Sequence, residues 1–179
     1  KVPHLTIVSG LAYGIDVASH KAALEADIPT IAVLGHGLDR IYPTVHRSIA
    51  IETLKMGGLV TEYPSETEPE GWNFVARDRI IAALSDATLV VESKARGGSL
   101  ITAGLAMDYN RDVFAVPGRV WDTNAAGCNQ LIRDQRAMLV TGADDIISAM
   151  HWESVPVQTA LELADEDETL EEELEDDEE

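Results

Sequence analysis

Apolar positions along this chain fall into two alternating arrangements: short unbroken runs, and longer stretches in which they recur three or four residues apart. The unbroken runs predict strands at Leu5–Ser9, Thr30–Gly35, Leu59–Glu62, Ala87–Glu92, Asp112–Val116 and Met138–Thr141. Most are continuous aliphatic or β-branched runs, as strands covered on both faces require. The helical spacing predicts helices near Asp16–Ala26, Thr44–Met56, Asn73–Leu84, Ser99–Tyr109, Asn124–Arg133 and Asp144–Met150. Ala18, Ala22, Ala23 and Ala26 give the first of these a narrow face suited to close packing on a sheet. Alternation of the two patterns predicts the α/β class, with a doubly wound, mostly parallel sheet and helices on both faces.

Three of the strand runs end in glycine and small polar residues before a helical pattern opens: Ser9-Gly10, Gly35-His36-Gly37, and Glu92 leading to Gly97-Gly98-Ser99. A helix start leaves backbone N–H groups unpaired, and the lack of bulky side chains lets a phosphate reach them. On a parallel sheet such turns collect along the carboxyl edge, where open α/β sheets bind ligands. The expectation is a phosphate- or nucleotide-handling rim.

Each turn also has a plain structural reading. Ser9–Asp16 fits a tight strand-to-helix turn with Asp16 as helix cap, and Asp16 and His20 share a helix face at i and i+4. A hydrogen-bonded Asp–His pair is expected there rather than a metal site, because no third ligand stands at metal spacing. Tyr42, which precedes Pro43, either stacks on a base or covers the sheet end. Phe74, Arg77 and Arg79 lie on one predicted helix. Phe74 and Arg77 are three apart and share a face, the pairing of aromatic platform and cation that single-stranded nucleic acid needs. Arg77 and Arg79 point about 200° apart, so one is expected at phosphate and the other held by a carboxylate such as Asp78 or Glu92. Lys94 and Arg96 bring charge to the already electropositive start of the helix that Ser99 caps. This segment lacks the Gly-Lys-Ser/Thr ending of a triphosphate loop and offers no magnesium ligand set, so it is read as binding phosphate without hydrolysis.

Charge changes the picture only once it is located. The chain carries 32 acids against 13 bases, a formal charge of −19. Thirteen of those acids lie between Glu162 and Glu179, a stretch without Lys or Arg, which leaves the body near −6. Residues 1–152 are expected to form one domain, with 153–179 a linker and an acidic, disordered tail. A single cysteine, Cys128, excludes an internal disulfide, fits a reducing cytoplasm and is expected to be a packed small residue. No apolar run reaches the ~20 residues of a membrane span.

Taken together, Ser9–Asp16, Gly35–Pro43, Phe74–Ser85, Glu92–Ala103 and Val116-Pro117-Gly118 resemble the DNA-processing protein A (DprA, or Smf) family, in order and over nearly the whole body. The resemblance implies a Rossmann-like domain that binds single-stranded DNA and loads the RecA recombinase during natural transformation. It implies no enzymatic activity and no cofactor, and a homodimer formed through Asn124–Arg133 and Met138–Thr141. Site residues on this reading are Gly10, Phe74, Arg77, Arg79, Lys94, Arg96, Gly97, Gly98 and Ser99. The family's opening strand and Gly-Ser-Arg loop have no counterpart from Lys1 onward, so the chain reads as truncated at its N-terminus. Asp78 stands where the family has Asn. The alternative is a nucleotide-hydrolysing enzyme similar to the lysine-decarboxylase-like phosphoribohydrolases, with Asp16 or Glu92 as its carboxylate. An interaction module acting through the acidic tail is a third reading.

Overall fold

The computed structural model describes residues 2–152; the linker and tail expected over 153–179 lie outside the described residues. Both sheets belong to one compact unit, His4–Ile146. Within it β1 (Ile7–Ser9), β2 (Thr30–Val33) and β3 (Gly58–Val60) alternate with α1 (Ile15–Glu25) and α2 (Arg47–Met56). Then come α3 (Gly71–Leu84), β4 (Ala87–Val90), α4 (Ser99–Asp108), β5 (Asp112–Ala115), α5 (Ala126–Arg133) and β6 (Met138–Leu139). A last helix, α6, runs Ala143–Ala149.

Every expected strand and helix is present, and the strands are shorter than the apolar runs that announced them. The missing residues, such as Leu34 and Gly35 after β2, have left the ladder to form the turns at the strand ends. The stretch from Thr44 splits into a 3-10 turn at Thr44–His46 and the helix proper from Arg47. In place of the single sheet expected there are two, each of three parallel strands, ordered β3-β2-β1 and β4-β5-β6. Ile7 lies opposite Thr30 and Ile31 opposite Gly58; Ala87 lies opposite Asp112 and Phe114 opposite Met138. The α/β, Rossmann-like class holds.

Small residues set the packing. Ala103 and Ala106 of α4 are fully buried beside Val90, Ala115, Cys128 and Leu131, so the helix axes approach the sheet closely. Leu11, Ala32, Leu34 and Ala50 form the corresponding core of the first sheet. Gly57 is required there, because the Thr30 carbonyl occupies the space a Cβ would take. Cys128 is buried as expected, and burial pushes its thiol pKa up.

The Asp16–His20 hydrogen bond expected from sequence is absent. His20 is fully buried, and its Nδ1 donates to the Thr30 hydroxyl at 2.7 Å, which in turn donates to the Ile7 carbonyl at 3.0 Å. This relay ties α1 to β1 and β2. Among the described residues it leaves the Nε2 of His20 without a partner. Burial holds the His20 pKa below its usual value, against the opposing pull of Asp16. Among the described residues no helix is long and apolar enough to cross a membrane.

Candidate nucleic-acid interface

The three glycine turns have the same sequence logic but different fates. At the first, the Asp16 carboxylate turns back from the start of α1 and accepts the Gly10 N–H at 3.0 Å and the Ala12 N–H at 3.2 Å. These are the donors a phosphate would have used, so Gly10 is not available as expected. Its glycine identity has another cause: a Cβ there would collide with the Arg77 guanidinium.

Arg77 is the main correction to the sequence reading. Its residue is 4% exposed. Its Nη1 donates to the Gly10 carbonyl at 2.8 Å and to the Val33 carbonyl, and its Nε donates to Asp78 at 3.1 Å. Three acceptors inside the protein engage its Nη1 and Nε, so it joins the ends of β1 and β2 to α3 instead of standing free at the surface. Asp78 is the carboxylate partner foreseen. Burial pushes its pKa up, partly offset by Arg77.

Phe74 shares the face of Arg77 as spacing required, with the Arg77 Cζ 5.9 Å from its ring centroid. That face is turned inward. Phe74 lies over Gly35, where a Cβ would come within 2.7 Å of its ring, and stacks on Tyr42 at 5.7 Å with 25° between planes. Phe74 is half-buried, whereas Tyr42 keeps 44% of its surface exposed. The two alternatives for Tyr42 therefore merge: it covers the sheet end and keeps part of its surface open. The second turn is also internally satisfied. The Gly37 N–H reaches the Thr67 carbonyl at 3.2 Å, and Thr61 donates to the His36 carbonyl at 2.8 Å. Arg79 is exposed and pairs with Glu62, a partner 17 residues away that local spacing does not reveal.

Among the described residues the third turn is the one of the three that stays open. Glu92, Ser93, Lys94, Arg96, Gly97, Gly98, Ser99 and Asn124 line a depression of about 320 Å³ at the carboxyl end of β4. Lys94 and Arg96 are exposed, and among the described residues neither has an ion-pair partner. Ser99 is the first residue of α4 rather than its cap; Gly98 holds the cap position, and no side chain caps the helix. Among the described residues the amides of Gly98 and Ser99 find no acceptor. A Cβ on Gly98 would meet nothing within 4 Å, so the fold does not demand glycine there. The loop is braced from below: the Gly127 N–H donates to the Ser93 carbonyl at 2.7 Å, and a Cβ on Gly127 would strike the Lys94 backbone at 2.6 Å. Uncapped amides, the positive end of α4 and two cations without an ion-pair partner among the described residues are the features that attract an anion. Glu92 sits on the same edge and opposes them. Asn124, expected as the start of a helix, lines the depression because α5 begins only at Ala126.

A family model described as DNA recombination-mediator protein A matches residues 2–151. The chain belongs to that family. It is similar to Protein Smf of Escherichia coli, with 45% identity over 153 residues covering 83% of this chain and 41% of the relative. It is similar to DNA processing protein DprA of Bacillus subtilis at 44% identity, covering 80% of this chain and 48% of that one. Thus it spans about half the length of the DprA and Smf proteins it matches. Its fold is that of DprA from Streptococcus pneumoniae, with TM-score 0.74 and 44% identity over 80% of this chain and 50% of that one. DprA from Helicobacter pylori, described for a unique single-stranded DNA binding mode, matches with TM-score 0.71 and 30% identity, covering 81% of this chain and 65% of that one.

Proposed function

We propose that this chain is the single-stranded-DNA-binding core of a recombination mediator, acting without catalysis and without a cofactor. The observation that carries the reading is the open turn after β4, where Lys94, Arg96 and the uncapped start of α4 face one depression. Phosphates enter that depression, and Lys94, Arg96 and the amides of Gly98 and Ser99 hold them. Gly97, whose Cβ would collide with the Ser93 hydroxyl, keeps the turn tight. Tyr42, backed by Phe74, offers an aromatic surface at the end of the first sheet, and Arg79 contributes only when it leaves Glu62. Handing the strand to RecA, assembly as a homodimer and a cytoplasmic setting rest on the family resemblance. The single-stranded DNA binding described for the Helicobacter pylori relative supports the ligand class.

The phosphoribohydrolase reading loses its first carboxylate, because Asp16 is engaged by two amides. A titration of labelled oligo-dT by fluorescence anisotropy tests the proposal. Binding that weakens as salt rises supports it, and absence of binding at low salt overturns it. RecA filament assembly on strand coated with single-strand-binding protein, with and without this chain, tests the handover.

A further inference from the structure

We propose that Trp121 is a base-stacking platform for the strand held in the Lys94–Arg96 depression, an inference that rests on the single-stranded DNA reading above. The loop between β5 and α5 is closed at its base. The Gly118 N–H donates to Asn129 Oδ1 at 3.1 Å, and Asn129 Nδ2 returns a hydrogen bond to the Gly118 carbonyl at 3.0 Å. Gly118 also lies so near Ala125 that a Cβ on it would overlap the alanine methyl. Inside the loop the Asp122 N–H donates to the Arg119 carbonyl at 2.9 Å, which places Val120 and Trp121 at the centre of a β-turn. Asp122 then accepts the Asn124 N–H at 2.9 Å through its side chain and the Ala125 N–H at 3.1 Å through its carbonyl.

This pinned turn displays the opposite of what turns usually carry. Polar and small residues suit such positions, yet Val120 is 87% and Trp121 76% exposed. Neither contributes to a core. Three residues further on, Asn124 lines the anion depression, so the Cα of Trp121 lies within about 11 Å of it. Arg119, in the same turn, is exposed, and among the described residues it has no ion-pair partner. An exposed indole on a pinned turn, with Arg119 two residues before it and the depression within reach, offers what a single strand needs: a face for a base and charge for the backbone. A protein partner would take the indole but leave these cations unused, so the strand is the occupant the observations favour.

The experiment compares the chain with Trp121→Ala and Trp121→Phe on two strands of equal length, oligo-dT and an abasic strand that keeps only sugar and phosphate. Trp121→Ala is expected to lose roughly 5- to 100-fold affinity for oligo-dT and little for the abasic strand, with Phe recovering most of the loss. In a Trp72→Phe, Trp152→Phe background, emission from Trp121 is expected to fall on binding oligo-dT. Unchanged oligo-dT affinity in Trp121→Ala, or equal losses on both strands, overturns the inference while DNA binding by the parent chain stands. A change in sedimentation without a change in DNA affinity assigns the indole to a protein contact and overturns it too. Failure of the parent chain to bind either strand removes the underlying reading.

Discussion

The Arg77 guanidinium lies directly against Gly10, donating to its carbonyl at 2.8 Å from a position that any side chain at residue 10 would invade. Sixty-seven residues apart, the two form one structural unit in which a buried cation substitutes for a Cβ. Arg77→Ala leaves two carbonyls and the Asp78 carboxylate without their donor in the interior. Removing one partner of such a buried arrangement costs about 3–5 kcal/mol. Urea denaturation is expected to show that loss, and any fall in DNA affinity is expected to track unfolding. A fully stable Arg77→Ala protein with weakened oligo-dT binding would restore the phosphate role.

Lys94 and Arg96 behave in the opposite way. Both are exposed and unpaired, so the double alanine variant is expected to stay within about 0.5 kcal/mol of the parent in stability. Its affinity for oligo-dT should fall at low salt. The slope of log affinity against log salt should flatten by up to about 1.4, the share of two phosphates on a single strand. An unaltered slope in salt titrations would place the strand elsewhere.

Glu92 lines the depression with the wrong charge for phosphate. Glu92→Gln is expected to raise oligo-dT affinity roughly 1.5- to 5-fold, the scale of one exposed charge interaction. Anisotropy titrations at matched ionic strength measure it. A decrease would show that the carboxylate holds the loop in place.

Gly98 separates fold from ligand. Its φ of −59° suits any residue, and a Cβ there touches nothing. Gly98→Asp sets a carboxylate beside the uncapped amides of α4, where a negative charge stabilises by about 0.3–1 kcal/mol. The melting temperature should hold or rise while oligo-dT affinity falls at least tenfold. Retained binding would mean that these amides face no phosphate.

The buried His20 makes stability depend on pH. Its folded pKa is depressed below 6.5 by burial, so the unfolded chain binds the extra proton first. Stability from this residue is therefore present above about pH 6.5 and is lost as pH falls below it. Asp78 acts in the reverse sense. Burial raises its pKa above the usual 3.8, so its contribution grows toward acid and is lost as pH rises through the folded value. Urea midpoints between pH 7.5 and 5.5 are expected to drop in the parent and to drop less in His20→Gln. Parallel curves for the two proteins would assign the slope to another group.

The order of strands and helices was legible in the chain because each element is announced by its own neighbours: runs at period two or continuous for Thr30–Val33 and Asp112–Ala115, helical spacing for Ser99–Asp108. The open turn was legible for the same reason, since Lys94, Arg96, Gly97, Gly98 and Ser99 are consecutive or nearly so. Residues close in sequence stay close in space whatever the fold does. The direction of Arg77, the engagement of Asp16 with Gly10, the pairing of Arg79 with Glu62 and the choice of Thr30 over Asp16 by His20 were decided only by tertiary structure. Each depends on which distant backbone or side-chain group occupies the interior beside it. A guanidinium that finds three buried acceptors stays inside, and one that finds none turns to the solvent.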